Sequence, residues 1–213
     1  MNVVIDGQQI KCKKGDILLR VAITNGIYIP NLCFLEEREE PYAGCRLCFV
    51  EIEGDELPKC ACTIHVEDGI KVNTRGEKAL RLQKTAFELI MSTHPVDCKN
   101  CGKNGICELQ RIAKHLKISL KTNKYQKFLS DLPVDDSSPV FAFDPNKCVQ
   151  CGRCVYLSER DGLNCISFAY RGLKRRVSAF MDAPLGTTRC SEKKELVHIC
   201  PVGAFVFKDR KNK

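Results

Sequence analysis

No apolar run in this sequence approaches the ~20 residues that a membrane-spanning helix requires, so no direct membrane insertion is expected. The opening stretch MNVVIDGQQIKCKKGD has no positively charged leader followed by an apolar core and a small-residue cleavage site. Export is therefore not expected, and a cytoplasmic location is. Glycine-rich nucleotide-binding motifs are missing, so any dinucleotide or flavin belongs on another chain. No internal repeat or low-complexity tract is present, apart from the recurrence of cysteine clusters. Acidic residues are scarce toward the C-terminus: from Arg171 to Lys213 there are eleven Lys or Arg and four Asp or Glu, a balance of +7.

What is abundant is cysteine. Fifteen in 213 residues are too many for an ordinary reduced enzyme and call for either a disulfide framework or metal. Without an export signal, reduced thiolates on metal are the better fit. With 44% apolar residues the chain can bury a core, and its length suits one ordinary domain or two to three small ones.

The expected class is α+β. Val3 to Ile5 and Gln8 to Cys12 flank an Asp6-Gly7 pair, a hairpin signal. Asp16 is the expected N-cap of a helix that Gly26 ends, and Arg46 to Ile52 and Gly69 to Val72 are further strands. Residues 1–76 thus form a first domain with a mixed sheet. Helical periodicity runs from Glu77 to about Met91 and again from Cys107 to about His115, defining a small helical segment at 77–127. A proline-bearing loop from Phe128 to Pro139 opens the last domain, 128–213.

Three constellations carry the chemistry. Cys33, Cys45, Cys48 and Cys62 combine a long loop, one tight pair and a distant fourth thiolate. Plant-type 2Fe-2S ferredoxins use a related layout, whereas zinc sites more often pair their ligands as two short knuckles. His94, Cys98, Cys101 and Cys107 lie in HPVDCKNCGKNGICELQ, with Gly102 and Gly105 to let the backbone turn. One imidazole among three thiolates suits an unusual 4Fe-4S cluster, and it also makes a closed tetrahedral zinc set. Cys148, Cys151 and Cys154 form the C-x2-C-x2-C run of bacterial 4Fe-4S ferredoxins, with Cys200-Pro201 as the remote fourth ligand. Zinc hardly ever uses that run. A cluster at His94 would bridge the outer two, which makes zinc there the less economical reading.

Over essentially its whole length the chain resembles the N-terminal iron-sulfur module of the large NADH-dehydrogenase subunit of respiratory complex I. It is equally similar to the small diaphorase subunit of NAD-linked hydrogenases and to the N-terminal part of multimeric iron-only hydrogenases. The matching residues are the Cys33 to Cys62 pattern, HPVDC with Cys101 and Cys107, and Cys148 to Cys154 completed by Cys200. The resemblance implies a β-grasp 2Fe-2S ferredoxin domain, a helical 4Fe-4S segment with one histidine and three cysteine ligands, and a ferredoxin-like 4Fe-4S domain. It also implies one 2Fe-2S and two 4Fe-4S clusters, an FMN-containing NAD(H)-binding flavoprotein partner and a further redox subunit. Several relatives carry a second ferredoxin run before the terminal Cys-Pro; here that stretch reads RCSEKKELVHIC. No substrate site is expected on this chain, whose role is to relay electrons between partners.

Cys12, Cys60, Cys165 and Cys190 are left over and read as small buried hydrophobes, with Cys165 or Cys190 an alternative to Cys200. His65, His115 and His198 lack ligand spacing and read as surface or packing residues. A multi-zinc structural or nucleic-acid-binding adaptor is the rival class, resting on the basic C-terminal stretch. Three clusters with these ligands would carry roughly −5, so part of the positive surplus is counter-charge and no nucleic-acid partner is expected. The terminal KDRKNK reads as a solvated tail.

Overall fold

The computed structural model describes residues 1–208; the expected solvated tail falls almost wholly outside them. The chain divides into two compact units, 1–88 with 114–118, and 89–113 with 119 onward.

In the first unit β1 (Asn2–Ile5) and β2 (Gln8–Lys11) pair antiparallel across Asp6-Gly7, both in the left-handed region at φ 50° and 82° that such a two-residue turn demands. The helix α1 (Leu18–Thr24) follows, then β3 (Phe49–Ile52), β4 (Lys59–Cys60) and β5 (Lys71–Asn73). They build one five-stranded sheet in the order β2-β1-β5-β3-β4, in which β1 and β5 run parallel. The mixed sheet expected from the sequence is present. Val3, Ile5, Val50 and Val72 share a buried core with Leu18, Leu19, Val21 and Ala22 of α1. Asp6 ties the far ends together, accepting from the Thr74 backbone N–H at 2.7 Å and its hydroxyl at 2.6 Å.

Three boundaries differ from expectation. Ile17, not Asp16, stands at the helix N-cap, because the Asp16 carboxylate accepts from the Lys13 N–H at 2.9 Å and is spent on the preceding turn. The strand expected from Arg46 begins at Phe49, since Arg46 is left-handed (φ 54°) and belongs to the cysteine loop. Gly69 (φ 77°) is likewise a turn residue ahead of β5.

The helix α2 (Glu77–Ser92) buries Ala79, Gln83, Phe87 and Met91 on one stripe, and α3 (Glu108–Leu116) buries Leu109, Ile112 and Leu116. In the second unit β6 (Phe141–Phe143), α4 (Arg153–Arg160), β7 (Ser167–Ala169), β8 (Arg176–Ser178), α5 (Glu195–Ile199) and β9 (Phe205–Phe207) complete the fold. Strands β6 and β9 pair antiparallel and bring together the rings of Phe141, Phe143 and Phe205, all buried. No described helix is long and apolar enough to cross a membrane.

Candidate iron-sulfur sites

In the first unit Cys33 follows α1, Cys45 and Cys48 lie on the loop before β3, and Cys62 sits in a short 3-10 turn after β4. The loop closes on itself through left-handed Ala43 and Arg46 and through the Ala61 N–H donating to the Cys48 carbonyl at 2.8 Å. Cys33, Cys48 and Cys62 are buried, and the Cys33 and Cys45 sulfurs stand 3.4 Å apart. The contact with Cys33, then burial, pushes the Cys45 thiol well up. Cys48 is pulled down by Cys60 but raised further by Cys62 and burial, to about 12. Thiols that raise one another's pKa so strongly hold their protons unless a cation takes their place.

In the second unit His94, Cys98, Cys101 and Cys107 line one pocket together with Met91, Leu109, Gln110, Leu120, Lys147 and Gly203. Burial lowers the His94 pKa to about 4, so the imidazole is neutral and able to donate a lone pair at neutral pH. Its Nδ1 is buried without a hydrogen-bond partner, an orphaned ring nitrogen beside three thiols. Burial raises Cys107, while the N–H groups of Gln110 and Leu109 at the start of α3 pull it back and would support a thiolate there. The loop is held by Gln110, whose side chain accepts from the Gly105 N–H and donates to Asn104. Gly105 is left-handed at φ 83°, as a turn requires. Gly102 serves a different end, close approach, because a Cβ there would meet Val206 of β9 at 3.0 Å.

Cys148, Cys151, Cys154 and Cys200 line a second pocket, walled by Val149, Val177, Val202, Ala204 and Phe205. Gln150 (φ 53°) and Gly152 (φ 76°) turn the run so that all three cysteines reach the pocket before α4 is a turn old. The Gln150 N–H donates to Cys148 Sγ at 3.4 Å. Burial, then the neighbouring thiols, drive Cys148 and Cys154 far up. In the second unit the eight expected ligands are thus brought together as two groups of four. Among the described residues no group of three or more His, Cys, Asp or Glu stands close enough together to hold a metal ion as placed.

The two pockets of the second unit share a wall. Lys147 precedes Cys148 in one and lines the other against His94. Three residues after Cys200, Gly203 abuts Cys101, and a Cβ at 203 would overlap that sulfur. Neither contact has a signal in the sequence, because both arise from how β6 and β9 pair.

One expectation is corrected. Cys165 and Cys190 are not separate buried thiols but a disulfide, with Cα atoms 6.2 Å apart. Neither of them lines the Cys148 pocket, where Cys200 stands. The Ser158 hydroxyl lies against both and also accepts from the Cys165 N–H at 2.9 Å. Cys60 is buried as expected, yet it takes part in the first site, with Arg46 Nη1 donating to its sulfur at 3.7 Å. The His65 ring bonds the Gly15 carbonyl, His115 packs on Tyr28 and His198 on Phe207.

Comparison with known proteins follows the same order. A 2Fe-2S iron-sulfur cluster binding domain model matches residues 1–77. The iron-sulfur binding region of NADH-ubiquinone oxidoreductase-G matches 83–120, and the ferredoxin-like domain of NADH-quinone oxidoreductase subunit 3 matches 138–206. The gamma subunit of NAD-reducing hydrogenase HoxS from Cupriavidus necator is 30% identical over 98% of this chain and 87% of its own length. NADPH-Fe(3+) oxidoreductase subunit alpha from Geobacter sulfurreducens is 34% identical over 98% of this chain; the chain spans 24% of that longer protein. A chain in the crystal structure of an H2-reduced NAD+-reducing [NiFe]-hydrogenase superposes with a TM-score of 0.87 at 30% identity, covering 97% of this chain and 87% of that one.

Proposed function

This chain belongs to the family of iron-sulfur subunits that includes NADH-quinone oxidoreductase G and the gamma subunit of NAD-reducing hydrogenase, and from that premise we propose that it is an electron-transfer subunit of a multisubunit NAD(P)-linked oxidoreductase. Cys33, Cys45, Cys48 and Cys62 hold a 2Fe-2S cluster. His94, Cys98, Cys101 and Cys107 hold one 4Fe-4S cluster, and Cys148, Cys151, Cys154 and Cys200 hold another. The observation that carries the reading is the pair of adjoining buried pockets, each lined by four donors in the family's order.

The finer architecture in this reading is a β-grasp domain over 1–76, a helical segment over 77–127 and a ferredoxin-like domain over 128–213. The sheet order β2-β1-β5-β3-β4 with α1 against it supports the first of these. The clusters, when bound, take up and release one electron each. The protein's part is to fix their spacing, exclude water and set potentials through ligand charge, burial and N–H donors to sulfur. His94 leaves the middle site one negative charge poorer than four thiolates would. The Gln150 N–H and the α3 amides lower the cost of charge on Cys148 and Cys107. Val177, Val202 and Phe205 keep the third site apolar.

The partners in this reading are an FMN-containing NAD(H)-binding flavoprotein and a further redox subunit, in the cytoplasm. Iron and acid-labile sulfide analysis of anaerobically purified protein, with EPR after dithionite reduction, tests it. About ten irons per chain with matching sulfide is the expected result. Zinc without sulfide would instead establish the structural adaptor.

A further inference from the structure

We propose that residues Tyr170 to Asp182 form a docking knuckle for a second redox protein whose surface is acidic around an apolar depression, and that this knuckle is the electron port of the Cys148 site; the inference rests on the function proposed above. Four large apolar side chains are exposed within this one segment: Tyr170, Leu173, Phe180 at 84% and Met181 at 85%. Large exposed apolar side chains gathered in one short segment point to an interaction surface. Aromatic residues, Met and Arg are also the types enriched where proteins bind.

The knuckle is preorganised. Tyr170, Met181 and Asp182 all lie in the left-handed region, at φ 63°, 54° and 54°, which bulky residues adopt only when their surroundings force it. The Asp182 carboxylate ties the segment together, accepting from the Tyr170 hydroxyl at 2.5 Å, from Arg176 at 2.6 Å and from the Ser178 hydroxyl at 2.5 Å. These bonds hold the Asp182 carboxyl below its ordinary range. The strain keeps Phe180 and Met181 outward, where a partner meets them without an ordering cost.

Charge selects the partner. Arg171, Lys174, Arg175 and Arg176 lie in the segment, and its one carboxylate is consumed internally. Two copies would repel, which disfavours self-association. Arg175 and Arg176 stack over Phe168 and Tyr170, 3.8 and 4.0 Å from the ring centroids, so the cations frame an apolar surface rather than stand free as a nucleic-acid patch would have them. The knuckle also borders the third site. Val177 lines it, and Gln150, between two of its cysteines, donates to the Arg175 carbonyl at 2.8 Å. A centre seated on this surface would face the third site across one layer of residues.

The test is Phe180→p-benzoylphenylalanine in tagged full-length chain expressed in the native host, irradiated in the intact assembly, with Leu57→p-benzoylphenylalanine as an exposed control remote in sequence. The expected product is one cross-link from position 180 to an acidic subunit bearing a flavin or metal centre. Its yield should fall at least about tenfold in the Leu173→Asp, Met181→Asp background, as loss of an interface anchor implies. The same background must retain the wild-type EPR signals and dithionite reducibility. A product with a second copy, with nucleic acid or with lipid, or yield no higher than at position 57, overturns the inference. Absence of cluster signals in the wild type overturns the function proposed above instead.

Discussion

Replacing His94 by cysteine should lower the midpoint potential of the middle cluster by about 140 mV. The substitution puts a thiolate where a neutral imidazole stands, since burial holds the His94 pKa at about 4 and the ring carries no charge at pH 7. One added negative charge ~5 Å from the cluster centre costs the reduced form about 3.3 kcal/mol at an effective dielectric constant of ~20. At ~59 mV per decade for one electron, that is about 140 mV. The spread between Rieske and plant-type 2Fe-2S centres, which differ by two His-for-Cys exchanges, gives roughly 125 to 350 mV per ligand, bracketing the same value. The assay is a mediated redox titration followed by EPR on His94→Cys chain whose iron and sulfide content equals that of the wild type, so that the same cluster is compared. The 2Fe-2S signal of the first unit serves as internal reference. A midpoint that stays or rises would refute the charge argument, and with it the role given to the imidazole. Because the His94 ring is neutral at pH 7, imidazolium formation should add no pH dependence to the wild-type midpoint across the neutral range.

Three further outcomes follow from the geometry. Cys200→Ser should abolish or broaden the third-cluster EPR signal while leaving the other two, and a full-strength signal would remove Cys200 from the ligand set. Gly203→Ala should leave the metal-free chain folded, because a free Cys101 side chain can swing away, yet cut occupancy of the middle site once that sulfur is fixed by metal; iron counting and EPR read the difference. Asp6→Ala should destabilise the first unit by ~1–3 kcal/mol in denaturant unfolding, since the Thr74 N–H and hydroxyl lose their acceptor in a half-buried place.

The cysteine groups that the structure draws together were legible because each is mostly local: Cys98 with Cys101, and Cys148 to Cys154, sit on short loops whose turn residues lie between them. The hairpin at Asp6-Gly7 and the helices from Glu77 and from Glu108 were equally plain, since each rests on periodicity or a turn within a few residues. What escaped depends on contacts far apart in sequence. Cys165 and Cys190 are 25 residues apart, with no spacing to distinguish a bonded pair from two buried thiols. Lys147 and Gly203 matter only because β6 and β9 pair, bringing Phe143 into register with Phe205 and the residues beyond them to one place. The Asp16 misplacement is of another kind: two local uses competed for one carboxylate, and the turn at Lys13 won.

Were both pockets of the second unit loaded, the wall at Lys147 and Gly203 would keep them from being independent instruments. With a cubane on either side, an electron resting in one is felt as repulsion by the next, so apparent midpoints would belong to the pair and not to either site. A hydride donor delivers electrons in twos, and a relay must pass them singly. Adjacent sites that resist simultaneous reduction would make the second electron wait for the first to leave, with nothing more elaborate than a glycine that has no room for a methyl group.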